Sequence, residues 1–231
     1  MRLAPVVAGI AAGTMLMMSD ATPALAVQTY FVNGLPGRAL DAQIGRRCAF
    51  ESATFGMDAG PVRTSAGERP IRVRLADDPP CQGALVATRR TNLTRGSTNV
   101  IVAHLDQNGA AQLSKFTTDA SPLGPGRTRL TAYHTAAAPA VDIELYPWNG
   151  NRELVEFERV RPGDQTFPRE IPAGRYELEI YPSRADEEVL EIEVQLRPGV
   201  AYDAFVVGSL RRGTLRVLLV EIDPASSMQR R

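Results

Sequence analysis

The sequence is poor in cysteine, histidine, lysine and aromatic residues, and each shortage narrows the classes of function open to it. Its 231 residues include two cysteines and two histidines, and aromatic residues make up 6%. His104 and His134 lie near no cysteine or carboxylate motif, and two such histidines do not make a metal site. Lys115 is the single lysine among 26 basic residues, which we interpret as a bias of the genome. We therefore predict no bound metal.

Charge and motif content exclude further classes. The formal net charge is zero, and neither half carries the concentrated basic face expected of a nucleic-acid-binding protein. Phosphate-binding loops, dinucleotide fingerprints and the Gly-x-Ser-x-Gly and Ser-x-x-Lys motifs are absent. We predict no catalytic residues, no cofactor and no nucleic-acid partner. A hydrolase with a scattered site stays an alternative, because triads are recognised by geometry rather than by order along the chain.

Residues 1–26 have the organisation of a secretory signal peptide. Arg2 supplies the positive start, Leu3–Met18 the uncharged run, and Ala24-Leu25-Ala26 the small-residue cleavage form. An uncleaved membrane anchor is the alternative, because the run approaches spanning length, but its Ala and Gly content favours removal. No cysteine near the cleavage point could carry a lipid, and no other segment could span a bilayer. We therefore expect a periplasmic or extracellular protein.

Export gives the two cysteines a structural meaning. An even pair in an oxidising compartment is most often a disulfide, so we predict a bridge between Cys48 and Cys81. A redox site would need a close Cys-x-x-Cys, and a zinc site would need more ligands. A bridge closing a loop of about 33 residues could stabilise the fold by roughly 3–4 kcal/mol.

An internal repeat predicts the architecture. The segment Thr131–Leu145 has a weaker copy at Tyr30–Ile44, and a gapless alignment places Leu40-Asp41 on Val141-Asp142. In each copy a short strand enters a Pro-containing bend, and a second strand then opens with an apolar residue and an aspartate. Repeats of this kind indicate duplicated structural units. Because an aspartate after a bend commonly accepts backbone N–H groups, we expect a structural role for Asp41 and Asp142.

Short alternating segments separated by Pro and Gly every 8–12 residues are typical of β-sandwiches. We predict an all-β protein with two tandem immunoglobulin-like antiparallel β-sandwich domains of seven or so strands each. The domains are residues 27–119 and 128–224, with a linker at 120–127 and a flexible tail at 225–231. Asn99–Leu105 is a nearly continuous apolar strand suited to a sandwich centre, whereas Gly45–Gly60 is interpreted as irregular.

The second repeat resembles an exported bacterial domain family of unknown function that often occurs in tandem. Three segments carry the resemblance: Ala138–Asp142, Pro172–Tyr176 and Val207–Leu210. Where the family has a histidine this chain has Tyr133, with His134 displaced by one, and Ala136-Ala137 replace a Pro-Asp pair. The resemblance covers 127–223 well and 27–118 in outline. It implies an immunoglobulin-like sandwich in the envelope or outside the cell, but no established reaction. A fainter likeness, in signal, size and tandem β architecture, is to the AlgF family of periplasmic alginate acetylation accessory proteins.

Two surface features are candidate sites. Tyr146 and Trp148 lie on a predicted hairpin turn and could bind a sugar or a protein partner; a Trp that folds over the sandwich end as a plug is the interpretation we favour. Four glutamates at alternating positions should share one sheet face, beside three acidic residues at a turn (186–188). That face is a candidate for calcium, although a solvated outer face is favoured. The four are Glu177, Glu179, Glu191 and Glu193.

These observations lead us to expect a non-enzymatic, exported cell-envelope module that binds a polysaccharide or a protein partner. The alternative is a periplasmic accessory protein in the biosynthesis or O-acetylation of an alginate-like exopolysaccharide.

Overall fold

A computed structural model describes residues 26–148, 155–185 and 187–222. The signal peptide, apart from Ala26, and the polar tail expected at 225–231 lie outside the described residues. Within the described part, no helix is long and apolar enough to cross a membrane. A single 3-10 helix, Leu210–Arg212, is found among sixteen strands.

The first eight strands form one sandwich and the last eight form a second. The first set is β1 Val27–Asn33, β2 Leu40–Ile44, β3 Arg47–Ala53, β4 Met57–Thr64, β5 Gly67–Leu75, β6 Leu85–Leu93, β7 Thr98–Leu105 and β8 Ala111–Thr118. The second set is β9 Arg127–His134, β10 Val141–Pro147, β11 Val155–Val160, β12 Arg169–Pro172, β13 Gly174–Pro182, β14 Leu190–Leu196, β15 Ala201–Val207 and β16 Arg216–Ile222.

The two sandwiches share one topology. The first has sheets β4-β1-β7-β8 and β3-β2-β5-β6, and the second repeats both orders as β12-β9-β15-β16 and β11-β10-β13-β14. Every pairing is antiparallel except β1 with β7 and β9 with β15. The prediction of two tandem immunoglobulin-like β-sandwiches is therefore confirmed, with eight strands in each and one parallel pair apiece.

The prediction of irregular structure at residues 45–60 was wrong. Strand β3 and the first half of β4 occupy this stretch. Ser52 interrupts β3 with a left-handed backbone (φ 50°), and the β2–β3 register shifts there. Strand β4 is an edge strand with no fully buried residue. A bulge and an exposed edge remove the alternation of apolar residues on which strand prediction depends.

The repeated aspartates stabilise equivalent bulges. Asp41 accepts the backbone N–H of Ser52 at 2.8 Å, and Asp142 accepts that of Arg159 at 2.5 Å. Ser52 and Arg159 both have φ near 50°. Each aspartate also binds the loop that follows its neighbouring strand in the sheet, β5 or β13. Asp41 accepts the Cys81 N–H in one domain, and Asp142 accepts the Ser183 hydroxyl in the other. The expected structural role is confirmed.

Four sheet layers are stacked in the molecule, because the two sandwiches pack against each other. An apolar cluster joins β1, β7 and β8 of the first sandwich to β9, β15 and β16 of the second. At its centre Phe116 lies 4.7 Å from Tyr133, which lies 4.5 Å from Phe205 between ring centres. The central strands are consequently buried on both faces, and β7 and β15 are buried at every position. Continuous apolar runs are the expected sequence of such strands.

Polar groups also connect the domains. Thr118 of β8 donates its hydroxyl to the buried carboxylate of Asp203 in β15, and the Tyr133 hydroxyl donates to the same carboxylate at 3.2 Å. The segment between β8 and β9 is held by the buried Arg129, which donates to the carbonyl oxygens of Asp119 and Ser121 at 3.0 and 2.9 Å. The two sandwiches therefore form one packed body rather than two units on a flexible tether.

The predicted disulfide is present. Cys48 in β3 and Cys81 in the loop after β5 are bonded, at a sequence separation of 33. The bridge ties this loop to the outer sheet of the first sandwich, where the Cys81 N–H also donates to Asp41 at 2.7 Å.

Candidate binding cleft at Trp148

An open cleft of about 340 Å³ lies at one end of the second sandwich. The end of β10, the start of β9 and the β12–β13 hairpin converge there. Val155, Ile171 and Tyr176 are its buried apolar lining residues, and its charged lining residues, the more exposed Arg127, Glu170 and Arg175, are called here its rim. The residues of this surface, called here the Trp148 cleft, are Arg127, Pro147, Trp148, Val155, Glu170, Ile171, Pro172, Ala173, Gly174, Arg175 and Tyr176.

Trp148 is half exposed, at 50% of its surface. The guanidinium carbon of Arg175 lies 4.0 Å from its ring centre, and Arg175 is also ion-paired with Glu193. The backbone N–H of Trp148 donates to the Arg175 carbonyl at 2.9 Å, which continues the pairing of β10 with β13 by one residue. Arg175 stacks on the ring and half of the Trp148 surface meets solvent, so a plug over the sandwich end, the interpretation favoured from the sequence, would cover that end with a ring that is only half buried.

Tyr146 does not line the cleft. It lies two residues before Trp148 on the same side of β10, where its side chain meets the acidic outer face of the sheet. Its hydroxyl donates to Glu144, and this bond raises the pKa of Tyr146 to about 12. The structure therefore places the two predicted residues on one strand face but only Trp148 in the cleft.

Sequence reasoning missed the cationic rim of the cleft. Arg127 donates to the Glu170 carbonyl at 2.5 Å, and the Glu170 carboxylate is bound by Arg129 at 2.7 Å. These contacts join the start of β9 to β12, and β12 was not predicted. The Pro-Ala-Gly-x-Tyr segment (172–176) was the available signal, because it forms the hairpin that carries Arg175 to the ring.

The four glutamates of the outer sheet share one face, as predicted. Glu177 is directly opposite Glu193, and Glu179 is directly opposite Glu191. Glu144 and Glu156 extend the second pair, so that one carboxylate from each strand forms a row across all four strands: Glu156, Glu144, Glu179 and Glu191. Among the described residues, no group of three His, Cys, Asp or Glu side chains has the geometry to hold a metal ion. The calcium interpretation gains no support.

Crowding of these carboxylates changes their protonation. A hydrogen bond that protonated Glu177 donates to the Glu191 carboxylate raises the pKa of Glu177, and partial desolvation with the nearby Glu158 and Glu144 raises the pKa of Glu156. Tyr181 donates its hydroxyl to Glu179, which raises the pKa of that tyrosine. The face called here the acidic face comprises Asp142, Glu144, Glu156, Glu177, Glu179, Glu191 and Glu193.

Both histidines have structural partners. His134 Nε2 lies 2.7 Å from the Pro139 carbonyl, and the Ala136 N–H reaches His134 Nδ1 at 3.3 Å. His104 lies between the Leu105 carbonyl and the Ser114 hydroxyl. Burial lowers the pKa of each. Four clefts of the described residues have no histidine in their lining, so they give the hydrolase alternative no support.

The duplicated eight-strand unit with its four stacked sheets defines the class of tandem β-sandwich proteins. Within that class, residues 27–144 match the model of the family described as a domain of unknown function (DUF4397), which is just over half of the 231 residues. The chain belongs to this family. The match spans the first sandwich and the opening strands of the second, so that only Ala138–Asp142 of the three segments quoted for the resemblance lies inside it. A search of curated proteins found no match.

Solved structures with similar folds include large and small bacterial proteins. The Bacillus anthracis TIE protein is 10% identical over 80% of this chain and 33% of its own, with a TM-score of 0.26. A leucine-rich repeat protein from Bacteroides thetaiotaomicron is 11% identical over 79% of this chain and 26% of its own, with a TM-score of 0.21. A candidate cell adhesion protein from Bacteroides ovatus is 10% identical over 87% and 97%, with a TM-score of 0.24. The chain thus spans about a third of the length of the TIE protein and about a quarter of the length of the leucine-rich repeat protein. Similarity this low supports no inference about function.

Proposed function

We propose that the protein is a non-enzymatic, exported module of the cell envelope that binds a polysaccharide at the Trp148 cleft. The observation that carries the proposal is the half-exposed indole ring, held by a stacked guanidinium beside an open cleft with charged groups on its rim. A protein partner is the other outcome that the same surface allows.

The ring of Trp148 is ordered before a ligand arrives. Arg175 stacks on the ring and is itself paired with Glu193, so a ligand need not immobilise these side chains when it binds. Side chains ordered on binding cost about 0.5–1.5 kcal/mol each, and preorganisation avoids that loss. A sugar ring presents a face of C–H groups that packs on an indole, while its hydroxyl groups face outward.

The rim supplies partners for those hydroxyl groups. Arg127, Arg175 and Glu170 place donors and acceptors beside the buried apolar lining formed by Val155, Ile171 and Tyr176. A few polar groups around an apolar concavity are the usual composition of a small-ligand site, and the volume lies within the range of such sites. Because the cleft is open, a polymer can enter and leave at its ends. Two arginines on the rim favour a polymer that carries carboxylates.

Affinity electrophoresis tests the proposal. Gels containing the acidic fraction of envelope polysaccharide, the neutral fraction or alginate would compare the wild-type protein with Trp148→Ala and Phe167→Ala. Phe167 is a matched control, because it is 90% exposed and lies outside the Trp148 cleft. We expect one polysaccharide to retard the wild type and Phe167→Ala but not Trp148→Ala.

Equal migration of all three proteins in every gel would contradict the proposal. Retardation of all three to the same extent would move the site away from Trp148. Retardation by alginate alone would favour the narrower role of an accessory protein in the modification of an acidic exopolysaccharide.

A further inference from the structure

The four-layer stack leaves two outer sheet faces, one at each end of the molecule. One is the acidic face, formed by β11-β10-β13-β14. The other is the outer face of β3-β2-β5-β6. The inner sheets are covered by each other, through the apolar cluster between the domains. The outer faces are therefore the broad sheet surfaces that remain for a partner.

The acidic face is unfavourable by itself. Like charges directly opposite on paired strands destabilise a sheet. The row from Glu156 to Glu191 contains three such pairs in succession, and Glu177 opposite Glu193 adds a fourth. Arg175 is the one arginine whose ion pair with this face is seen in the described residues. A cationic surface laid on the face would remove the repulsion.

The other outer face has the opposite charge at equivalent positions. Since Leu40-Asp41 corresponds to Val141-Asp142, the registers of β2 with β5 and of β10 with β13 make Arg72 the counterpart of Glu179. The registers of β5 with β6 and of β13 with β14 then make Arg90 the counterpart of Glu193.

The other exposed charges of this outer face are of both signs. Arg74 lies beside Arg72 on β5, and Arg46 is exposed at the β2–β3 turn. The exposed acids are Glu51, in the β3 bulge opposite Asp41, and Glu68, 3.9 Å from Arg90, while Asp77 and Asp78 lie in the loop after β5. This arginine-bearing surface is called here the basic face.

We propose that the acidic face of one copy docks on the basic face of a second copy. The two surfaces are different, so the contact is heterologous, and a docked pair keeps one free basic face on the first copy and one free acidic face on the second. Such contacts continue into a chain or close into a ring. The second copy adds a further layer to the sheet-on-sheet stack that each molecule already contains.

Ionic strength provides the first test of this self-association. The screening length is about 30 Å at 0.01 M salt and about 3 Å at 1 M. Sedimentation velocity of the mature protein should detect species larger than the monomer at the lower ionic strength and monomer alone at the higher one. A monomer at both ionic strengths, over the whole accessible range of protein concentration, would overturn the proposal.

Charge reversal identifies the surfaces. The acidic-face variant is Glu179→Arg with Glu191→Arg, which leaves the Arg175–Glu193 pair intact, and the basic-face variant is Arg72→Glu with Arg90→Glu. Each variant alone should need at least tenfold more protein to associate. A matched control, Arg211→Glu with Arg212→Glu, makes the same charge change as the basic-face variant. It lies in the 3-10 helix, which belongs to neither face, and should associate like the wild type.

Mixing separates a lost contact from a damaged fold. The acidic-face variant keeps an intact basic face and the basic-face variant keeps an intact acidic face, so an equimolar mixture should associate again at low salt. Failure of the mixture to recover while each variant melts like the wild type would overturn the proposed pairing. Binding at the Trp148 cleft is measured separately, because none of these substitutions lies in its lining.

Discussion

Asn33 and His134 make the same two hydrogen bonds at equivalent bends of the two domains. Asn33 accepts the Leu35 N–H at 2.9 Å and donates to the Arg38 carbonyl at 2.7 Å. His134 accepts an N–H two residues later and faces a carbonyl five residues later, at 3.3 and 2.7 Å. The imidazole is therefore the neutral tautomer with its proton on Nε2. An amide and an imidazole serve one purpose, which is to close the bend before β2 or β10.

This equivalence predicts which substitutions His134 tolerates. His134→Ala leaves a buried N–H and a carbonyl without partners and should lower the free energy of unfolding by about 1–3 kcal/mol per group. His134→Asn should lose less than half as much stability as His134→Ala, because Asn33 makes the equivalent two hydrogen bonds in the first domain. Urea unfolding of the three proteins at pH 7.5 would measure this. Equal losses for the Ala and Asn variants would contradict the assigned role.

The buried Asp203 between the domains predicts a pH dependence of stability. Burial raises its pKa to about 7, well above its ordinary value of 3.8, although bonds from Thr118 and Tyr133 oppose the shift. The folded state therefore binds a proton that the unfolded state has released, and the contribution of Asp203 to stability is lost as pH rises from about 4 to about 7. The slope is at most about 1.4 kcal/mol per pH unit.

Substitution isolates that term from other titrating groups. Asp203→Asn keeps the size of the side chain and removes its titration, so the difference in unfolding free energy between variant and wild type should shift in favour of the variant as pH rises from 4 to 7. Chemical denaturation at several pH values would test it. A difference that does not change with pH would show that Asp203 does not titrate in this window.

Gly208 is predicted to be irreplaceable. Its backbone has φ +87°, and a Cβ there would lie 2.1 Å from the Thr214 carbonyl oxygen. Gly208→Ala should therefore cost more than about 4 kcal/mol, the range of exceptional single substitutions. Gly199 is a matched control, because it has φ +77° with nothing near its Cβ position. Gly199→Ala should cost about 1–2 kcal/mol, and similar melting temperatures for the two variants would contradict the steric argument.

The sequence predicted the repeat, the sandwich class and the disulfide because each depends on local pattern. Three features of the sequence are visible without knowledge of the tertiary contacts: the alternation of apolar residues in β5 and β13, the shared aspartates and the even cysteine pair. The interface between the domains could not be read in this way. The continuous apolar run at Asn99–Leu105 suggested burial on both faces, but not that the second covering layer is the other domain.

The cleft was missed for a similar reason. Trp148 stood out as the only tryptophan, but its contact with Arg175 depends on the pairing of two strands separated by more than 25 residues in sequence. Glu170 and Arg127 meet only because β12 pairs with β9, and β12 is a four-residue edge strand. Tyr146, two residues before Trp148, was assigned to the same surface, whereas its hydroxyl donates to Glu144 on the acidic face.

Tryptophan fluorescence tests the central claim most directly. Because Trp148 is the only tryptophan in the chain, its emission reports on the cleft alone. Titration of the mature protein with the acidic and neutral polysaccharide fractions of the envelope should produce a saturable change in emission with one of them and protect the ring from a soluble quencher. Arg175→Ala, which keeps the indole but removes the guanidinium stacked on it, should weaken that binding at least tenfold. Emission and quenching that do not change at any concentration of either fraction would contradict the assignment of Trp148 as a polysaccharide-binding residue.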